Sequence, residues 1–295
     1  MINHINNSLV SVIIPTMALH SRVQLLQRAV ASIRTSSRQF VQIIVVVNGN
    51  KFDEKVFAWL KLQPDVHFEY CATPSLPAAL LRGRELVHTE FFSTLDDDDE
   101  YLPDATDKKV QAMQAHPNAD FLAGNYYRHS VEGIDSIGYS SLKEVPANPM
   151  KWLMHFNWLH NGSALYRSAA IGLEYFENIH PYAEWTWLAF RLSIDQKNIL
   201  ILDEPVFRYN LTAGSLSQSD AHFKSYIPLF NRMLAMSPPR SVARLIYKKM
   251  GAAYHDAADT ALQKGLRKEA WRNHFQSLLK IGGLRYLGFT RHLLW

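Results

Sequence analysis

Short apolar runs alternate with helix-period stretches over the first hundred residues. Residues 9–14 (Leu-Val-Ser-Val-Ile-Ile), closed by Pro15-Thr16, read as a strand buried on both faces, the habit of a parallel sheet. Val23, Leu26, Val30 and Ile33 then recur at helical spacing, with Ser21 placed to cap that helix. Residues 41–47 form a second β-branched run that ends at the turn Asn48-Gly49-Asn50. A helix near 52–62, a strand near 66–71, a helix near 76–88 and the apolar run 91–95 follow. Strand and helix alternate four times at short intervals, which predicts an α/β fold with a mostly parallel sheet. Ligands of such sheets bind beyond the carboxyl ends of the strands, where Thr16, Asn48 and Asp96 all fall.

The third of these ends is chemically loaded. Asp96, Asp97, Asp98, Asp99 and Glu100 directly follow the run 91–95. Carboxylates delivered together to the end of a buried strand repel one another, and burying them unpaired costs several kcal/mol each. A cation relieves that cost, and hard oxygen ligands suit Mg²⁺ or Mn²⁺ with a phosphate attached. The competing reading is a solvated acidic turn that caps the next helix.

Downstream, Pro103 opens a helix that runs to about Ala115, and residues 119–126 read as a strand. Residues 128–149, rich in Ser, Gly and Pro with little periodicity, read as a mobile loop. Trp152, Phe156, Trp158, His160 and Asn161 cluster after it. Their rings suit a sugar face, or they pack the core. His155 and His160 fit no common metal-ligand spacing. Residues 199–207 read as a further strand, and beyond Asp220 helices are expected near 220–236, 240–264 and 267–281.

Composition changes the picture in two places. Apolar content of 47% with charged content of 20% describes an ordinary soluble globular protein with a sizeable core. A length of 295 residues leaves room for one large domain, or one domain plus an appendage. Taken as divisions, these are residues 1–218 and a basic helical region, 219–295. The single cysteine, Cys71, rules out an internal disulfide framework and agrees with a reducing, cytoplasmic setting. The polar start shows no signal-peptide pattern, and no apolar stretch is long enough to span a bilayer. The net charge of +4 is uneven: from Arg240 onward eleven basic residues face three acids, a net +8 that leaves −4 on residues 1–239. In the tail, Lys280, Arg285 and Arg291 are interleaved with Leu278, Leu279, Ile281, Leu284, Tyr286, Leu287, Phe289, Leu293, Leu294 and Trp295. That mixture suits the headgroup layer of an anionic membrane, or a surface packed on the preceding domain or on a second subunit of a homodimer.

The order Val-Ser-Val-Ile-Ile-Pro-Thr (10–16), Ile-Ile-Val-Val-Val-Asn-Gly-Asn (43–50) and Leu-Asp-Asp-Asp-Asp (95–99) resembles the large family 2 of nucleotide-sugar glycosyltransferases, over roughly residues 8–215. The resemblance implies a GT-A-like, Rossmann-type sheet flanked by helices, with a C-terminal helical appendage. It also implies an inverting transfer from a nucleotide-sugar donor, most simply a UDP-sugar, to an acceptor hydroxyl in bacterial surface polysaccharide or glycolipid synthesis. By that likeness Pro15, Thr16, Asn48, Asp96 and Asp97 face the nucleotide, and Asp98 holds Mn²⁺ or Mg²⁺ on the diphosphate. Where the family has Asp-Asp-Gly-Ser, this chain has Asn48-Gly49-Asn50, and an asparagine reads a base edge as donor or acceptor. The family's Ala-Arg-Asn-x-Gly becomes Ala79-Leu80-Leu81-Arg82-Gly83, which makes Arg82 a looser diphosphate candidate.

The stretch 182–192 looks like the family's Glu-Asp-x-x-x-x-x-Arg-Leu helix, whose Asp is the general base. Ungapped from Arg191, Trp185 falls on that Asp; a one-residue shift makes Glu184 the base. Chemistry favours Glu184, because tryptophan has no lone pair to accept a proton. Its structural alternative is to pair with Arg191 or cap a helix. Trp158, His160, Asn161 and Trp185 are the acceptor-side candidates, with a saccharide or lipid-linked acceptor. Arg208-Tyr209-Asn210 with Ser215-Leu216-Ser217 resembles the family's closing Arg-x-His…Ser-x-Ser, with Arg208 supplying charge to the diphosphate. Two other classes compete: a non-catalytic nucleotide-sugar-binding scaffold on a decayed site, favoured by Trp185 and Asn48, and a Mg²⁺-dependent nucleotidyltransferase. The second lacks a Gly-rich, Lys-bearing loop after the first strand. Nothing in the sequence calls for nucleic acid as a partner.

Overall fold

The structure, a computed structural model, describes residues 8–211 and 220–294. Strand β1 (Val10–Thr16) is buried along its whole length, as a continuous apolar run between two layers must be. It runs on through Pro15, whose missing N–H costs nothing there. Ile13 O still accepts from Leu95 N at 2.9 Å, but pairing to the neighbouring strand stops at Ile13, so Pro15, on the same edge, has no ladder partner to lose. Helix α1 (Val23–Thr35) buries Leu26, Val30 and Ile33 as the periodicity predicts. Ser21 does not cap it: residues His20–Arg22 form a 3₁₀ turn that leads into the helix, and no side chain caps either start.

Strand β2 (Gln42–Asn48), helix α2 (Glu54–Lys61), strand β3 (Val66–Cys71), helix α3 (Leu76–Glu85) and strand β4 (Phe91–Thr94) complete the alternation. Asp53 and Ser75 cap α2 and α3 by accepting from N–H groups in the first turn. Gly83 sets how close α3 comes to the sheet. A Cβ there would stand 2.3 Å from Ile13 Cγ2, so only glycine lets the helix lie on β1.

Past the aspartates come β5 (Glu100–Tyr101), α4 (Ala105–Ala115), β6 (Phe121–His129), β7 (Asp135–Ile137), α5 (Pro149–Leu153), β8 (Ala164–Arg167), α6 (Glu184–Ile194) and β9 (Ile199–Asn210). Helix α4 starts two residues after Pro103, because Asp104 takes a left-handed conformation (φ +58°) at its N-cap. The sheet order is β3-β2-β1-β4-β8-β6-β9-β5, with β7 on β6. β1 to β4 pair in parallel, and β8 enters antiparallel to both β4 and β6. Residues 128–149, expected to be a mobile loop, contain regular structure. β7 folds back antiparallel on β6 around a turn in which Ser130 N donates to Ile134 O and Gly133 takes φ +82°. A three-residue strand exposed at every position shows no apolar alternation, which is why the pattern hid it.

The chain divides into two compact units. The sheet unit comprises Met1–Pro149, Trp158–Ile179 and Arg191–Ala213; the helical unit comprises Met150–Asn157, His180–Phe190 and Gly214–Trp295. In the latter, α7 (Asp220–Ala235), α8 (Arg240–Gln263) and α9 (Arg267–Leu278) fall close to the helices expected from periodicity, and a short further helix, α10 (Thr290–Leu294), is not among them. Ala261, Ala270 and Leu293 form a small core ringed by Leu262, Trp271 and Phe289. No helix among the described residues is long and apolar enough to cross a membrane.

One buried charge in the sheet unit carries a prediction. Lys109 on α4 is fully buried; its Nζ donates to Gly162 O at 3.2 Å and lies 4.0 Å from the Tyr101 ring centroid. Burial pushes its pKa down to about 7. The unfolded lysine keeps its proton up to about pH 10.4, so between those values folding releases a proton and stability rises with pH. Denaturant melts from pH 7 to 10 are expected to show this rise, at most about 1.4 kcal/mol per pH unit. Lys109→Met removes the dependence and is expected to stabilise by roughly 1–3 kcal/mol, as apolar replacement of buried charge often does. A flat profile in the wild-type protein refutes this account.

Candidate active site

Strands β1, β2 and β4 end side by side, and their last polar residues are joined by hydrogen bonds. Thr16 Oγ1 donates to Asp97 Oδ2 at 2.5 Å and accepts from Ala18 N at 2.9 Å, while Asn48 Nδ2 donates to Thr16 O at 3.1 Å. Arg22, on the 3₁₀ turn after β1, closes the network. Its Nε donates to both Asp97 oxygens at 3.1 and 3.2 Å, and its Nη2 pairs with Asp97 and with Asp98 Oδ2, the latter at 3.0 Å. Burial pushes the Asp97 carboxyl up, against the downward pull of Arg22 and Thr16. Asp97 thus anchors the acidic loop and spends its oxygens inside the protein.

The other aspartates gather on themselves. Asp96, Asp98 and Asp99 each offer a carboxylate oxygen within 4.8 Å of the others. Asp99 is buried; its Oδ1 accepts from Asn210 N at 2.9 Å, and its Oδ2 has no partner. Burial, then the charges of Asp96 and Asp98, push its pKa well above the usual carboxylate range. Three carboxylates with an orphaned, buried oxygen fit a hard divalent cation. Asn210 also donates through Nδ2 to Asp98 O at 2.7 Å and to Glu100 at 3.2 Å, so the end of β9 holds the loop in shape.

The two expected diphosphate arginines are engaged elsewhere. Arg82 pairs with Glu69 and Glu85, each at 2.8 Å. Arg208 grips Asp135 through Nε at 3.1 Å and Nη2 at 3.0 Å. Each is therefore locally neutralised; the aspartate side chains meet Arg22 instead, while Arg28 pairs with Glu100 at 3.0 Å. A signal for it existed: a buried acidic cluster demands a base, and Arg22 stands on the loop leaving the first strand end.

Of the acceptor-side candidates, Trp158 offers no face to a sugar. It is fully buried, lies beside Phe121, and its Nε1 donates to Pro149 O at 2.9 Å. His160 sits 4.6 Å from the Tyr126 ring, and burial lowers its pKa to about 4, so it is neutral at pH 7. Asn161 is buried with both side-chain polar atoms unpartnered. Because Gly162 N donates to Thr94 O at 3.0 Å, Asn161 is held beside the end of β4, one turn of chain from the aspartates. In the helical unit, Trp185 is half-buried and Glu184 is buried as the first residue of α6. Glu184 Oε1 accepts from Tyr182 N at 2.9 Å, and burial pushes its pKa up. Arg191, its suggested partner, instead approaches Asp195 at 3.7 Å. Ser215-Leu216-Ser217 lies outside the described residues.

A mostly parallel sheet flanked by helices, with an acidic cluster beyond its central strand ends, defines a glycosyltransferase of the GT-A type. The sequence pattern of the Glycosyl transferase family 2 matches residues 11–171, more than half of the chain, and the chain belongs to that family. Among solved structures it is similar to S. aureus TarS 1-349 in complex with UDP-GlcNAc, with 14% identity, a TM-score of 0.61, and coverage of 80% of this chain and 70% of that one. It also resembles S. aureus TarS itself, at 13% identity and a TM-score of 0.55, covering 81% of this chain and 42% of that one. No curated protein matches the chain.

Proposed function

We propose that the protein transfers a sugar from a UDP-sugar to an acceptor hydroxyl with inversion, with Mn²⁺ or Mg²⁺ held by Asp96, Asp98 and Asp99. The observation that carries this is the carboxylate triad within 4.8 Å, with Asp99 Oδ2 buried and unpartnered. The choice of uridine rests on likeness: TarS 1-349 was solved both with UDP-GlcNAc and with UDP. When bound, such a cation supplies Lewis-acid neutralisation of the departing diphosphate.

The chain's own groups do the rest. Thr16 and Asn48 line the nucleotide end, and Arg22 holds Asp97 and Asp98 in place. Asn161 offers its unsatisfied amide to a sugar hydroxyl, with neutral His160 beside it. Glu184 takes the proton of the acceptor hydroxyl as that oxygen bonds to the anomeric carbon; the bond from that carbon to the diphosphate breaks, and its electron pair leaves with UDP. Arg82 and Arg208 serve the diphosphate only by exchanging their present carboxylate partners. The acceptor is a saccharide or a lipid-linked one, as suits bacterial surface polysaccharide or glycolipid synthesis. The basic helical region then holds the protein at an anionic membrane.

Product analysis with UDP-sugars labelled in the sugar tests the reading. Label appearing on an acceptor, or as free sugar, with release of UDP is the expected result. Release of pyrophosphate, or binding without turnover on any donor of the panel, overturns it.

A further inference from the structure

The helical unit contains a cavity that sugar transfer leaves unused. Leu245, Lys248, Lys249 and Ala252 recur at i, i+3, i+4 and i+7 on α8, so one stripe of that helix faces it. Met154 and His155 supply a second wall. Arg285, from the 3₁₀ segment Gly283–Phe289, supplies a third, around about 200 Å³. No carboxylate lines the space, and among the described residues Lys248, Lys249 and Arg285 make no ion pair. Arg285 instead lies over the Tyr286 ring, 4.6 Å from its centroid. Arg244, one turn before Lys248, adds like charge at i, i+4, an arrangement that destabilises a helix when nothing offsets it. The nearest acid along α8, Asp256, is eight residues past Lys248, about 12 Å of helix axis. Burial lowers the pKa of Lys249, a further sign that this group lacks a counter-charge.

The surroundings are as unusual as the charge. Leu284, next to Arg285 in sequence, is 71% exposed; Leu287 is 53% and Leu279 is 78% exposed. A pocket for a free anion needs no exposed leucines close to it in the chain, whereas a phosphate attached to an apolar chain calls for both parts.

We propose that this cavity binds the phosphate of a lipid, with Lys248, Lys249 and Arg285 on the phosphate oxygens and Leu279, Leu284 and Leu287 against the apolar chain. The site extends the membrane reading above but is independent of the transfer chemistry. Two lipid phosphates share this chemistry, the phosphodiester of an anionic phospholipid and the phosphate of a prenyl carrier, and soluble forms of each tell them apart.

Titration of the full-length protein with short-chain phosphatidylglycerol below its micelle concentration, with geranyl phosphate and with inorganic phosphate is the direct test. Saturable binding of at least one lipid phosphate is expected, and the tighter of the two names the source. Lys248→Gln with Arg285→Gln is expected to weaken that binding about tenfold or more, given about 1 kcal/mol per basic contact. Lys268→Gln, an exposed cation on α9, is expected to leave it unchanged. Equal loss in the Lys268 variant, inorganic phosphate binding as tightly as either lipid, or no binding by wild type each overturns the pocket. Flotation with phosphatidylglycerol vesicles separates the broader reading. Flotation unaffected by the pocket variants refutes the pocket and leaves membrane attachment standing. Soluble-lipid binding without flotation does the reverse.

Discussion

Asp98→Asn is expected to reduce UDP affinity in Mn²⁺ by roughly ten- to a hundredfold, to the level the wild-type protein shows in EDTA. The substitution keeps size and removes a charge from a three-carboxylate set whose oxygens lie within 4.8 Å. Hard divalent cations bind in proportion to such charge, so losing one carboxylate in three is severe. The change also frees Arg22 from its 3.0 Å contact with Asp98, but Asp97 continues to hold that arginine through Nε. Local structure should therefore survive, and a thermal melt of the variant checks this. Asp104→Asn is the matched control. Asp104 sits outside the triad at a left-handed N-cap with no side-chain capping bond, a conformation asparagine adopts readily. Calorimetric titration of UDP with and without EDTA reads both variants, and equal wild-type affinity in the two conditions sinks the metal assignment.

Glu184→Gln is expected to cut turnover by about 10² or more while leaving UDP-sugar affinity unchanged, the usual share of general-base catalysis. Glutamine keeps a carbonyl oxygen to accept the Tyr182 N–H that now bonds Oε1, so the start of α6 is preserved. The pH profile separates chemistry from structure. Burial raises the Glu184 pKa, so the proton-accepting form is lost as pH falls through a value above the ordinary glutamate range. Wild-type kcat is expected to show an acid limb displaced upward, and the variant to lose that limb. Turnover that survives the substitution returns Glu184 to a helix-start role and moves attention to Asp195 and Glu177.

The sequence and the structure agree most closely where one physical signal dominates. β1 and β2 were readable because a strand covered on both faces must be apolar throughout, and no solvated segment resembles it. The helices α7, α8 and α9 were readable because one apolar stripe in 3.6 residues repeats over many turns. The hairpin of β6 and β7 was not, since its second strand exposes every side chain. The Ser21 cap failed because a 3₁₀ turn occupies the place where a single capping residue was expected. Trp158 looked like a sugar platform by residue type, but packing against Phe121 put its whole surface inside.

For the site, the sequence alone determined the strand ends and the charge they carry: Thr16, Asn48 and the aspartate run must share one edge of a parallel sheet, whatever the loops do. It also set a cation there against a solvated acidic turn, because unpaired carboxylates at a buried strand end are costly. Which cation, and which carboxylates, only the tertiary structure decided. Arg22 is 75 residues from Asp97 and Asn210 is 111 from Asp99, separations at which local pattern carries no information. Those two contacts divide the run, committing Asp97 to an internal arginine and leaving Asp96, Asp98 and Asp99 to gather around an unfilled oxygen. The same holds for the basic tail. Its charge was visible in the sequence, but the convergence of Lys248, Lys249 and Arg285 on one cavity depends on how α8 and the 3₁₀ segment pack, and packing is a property of the folded chain.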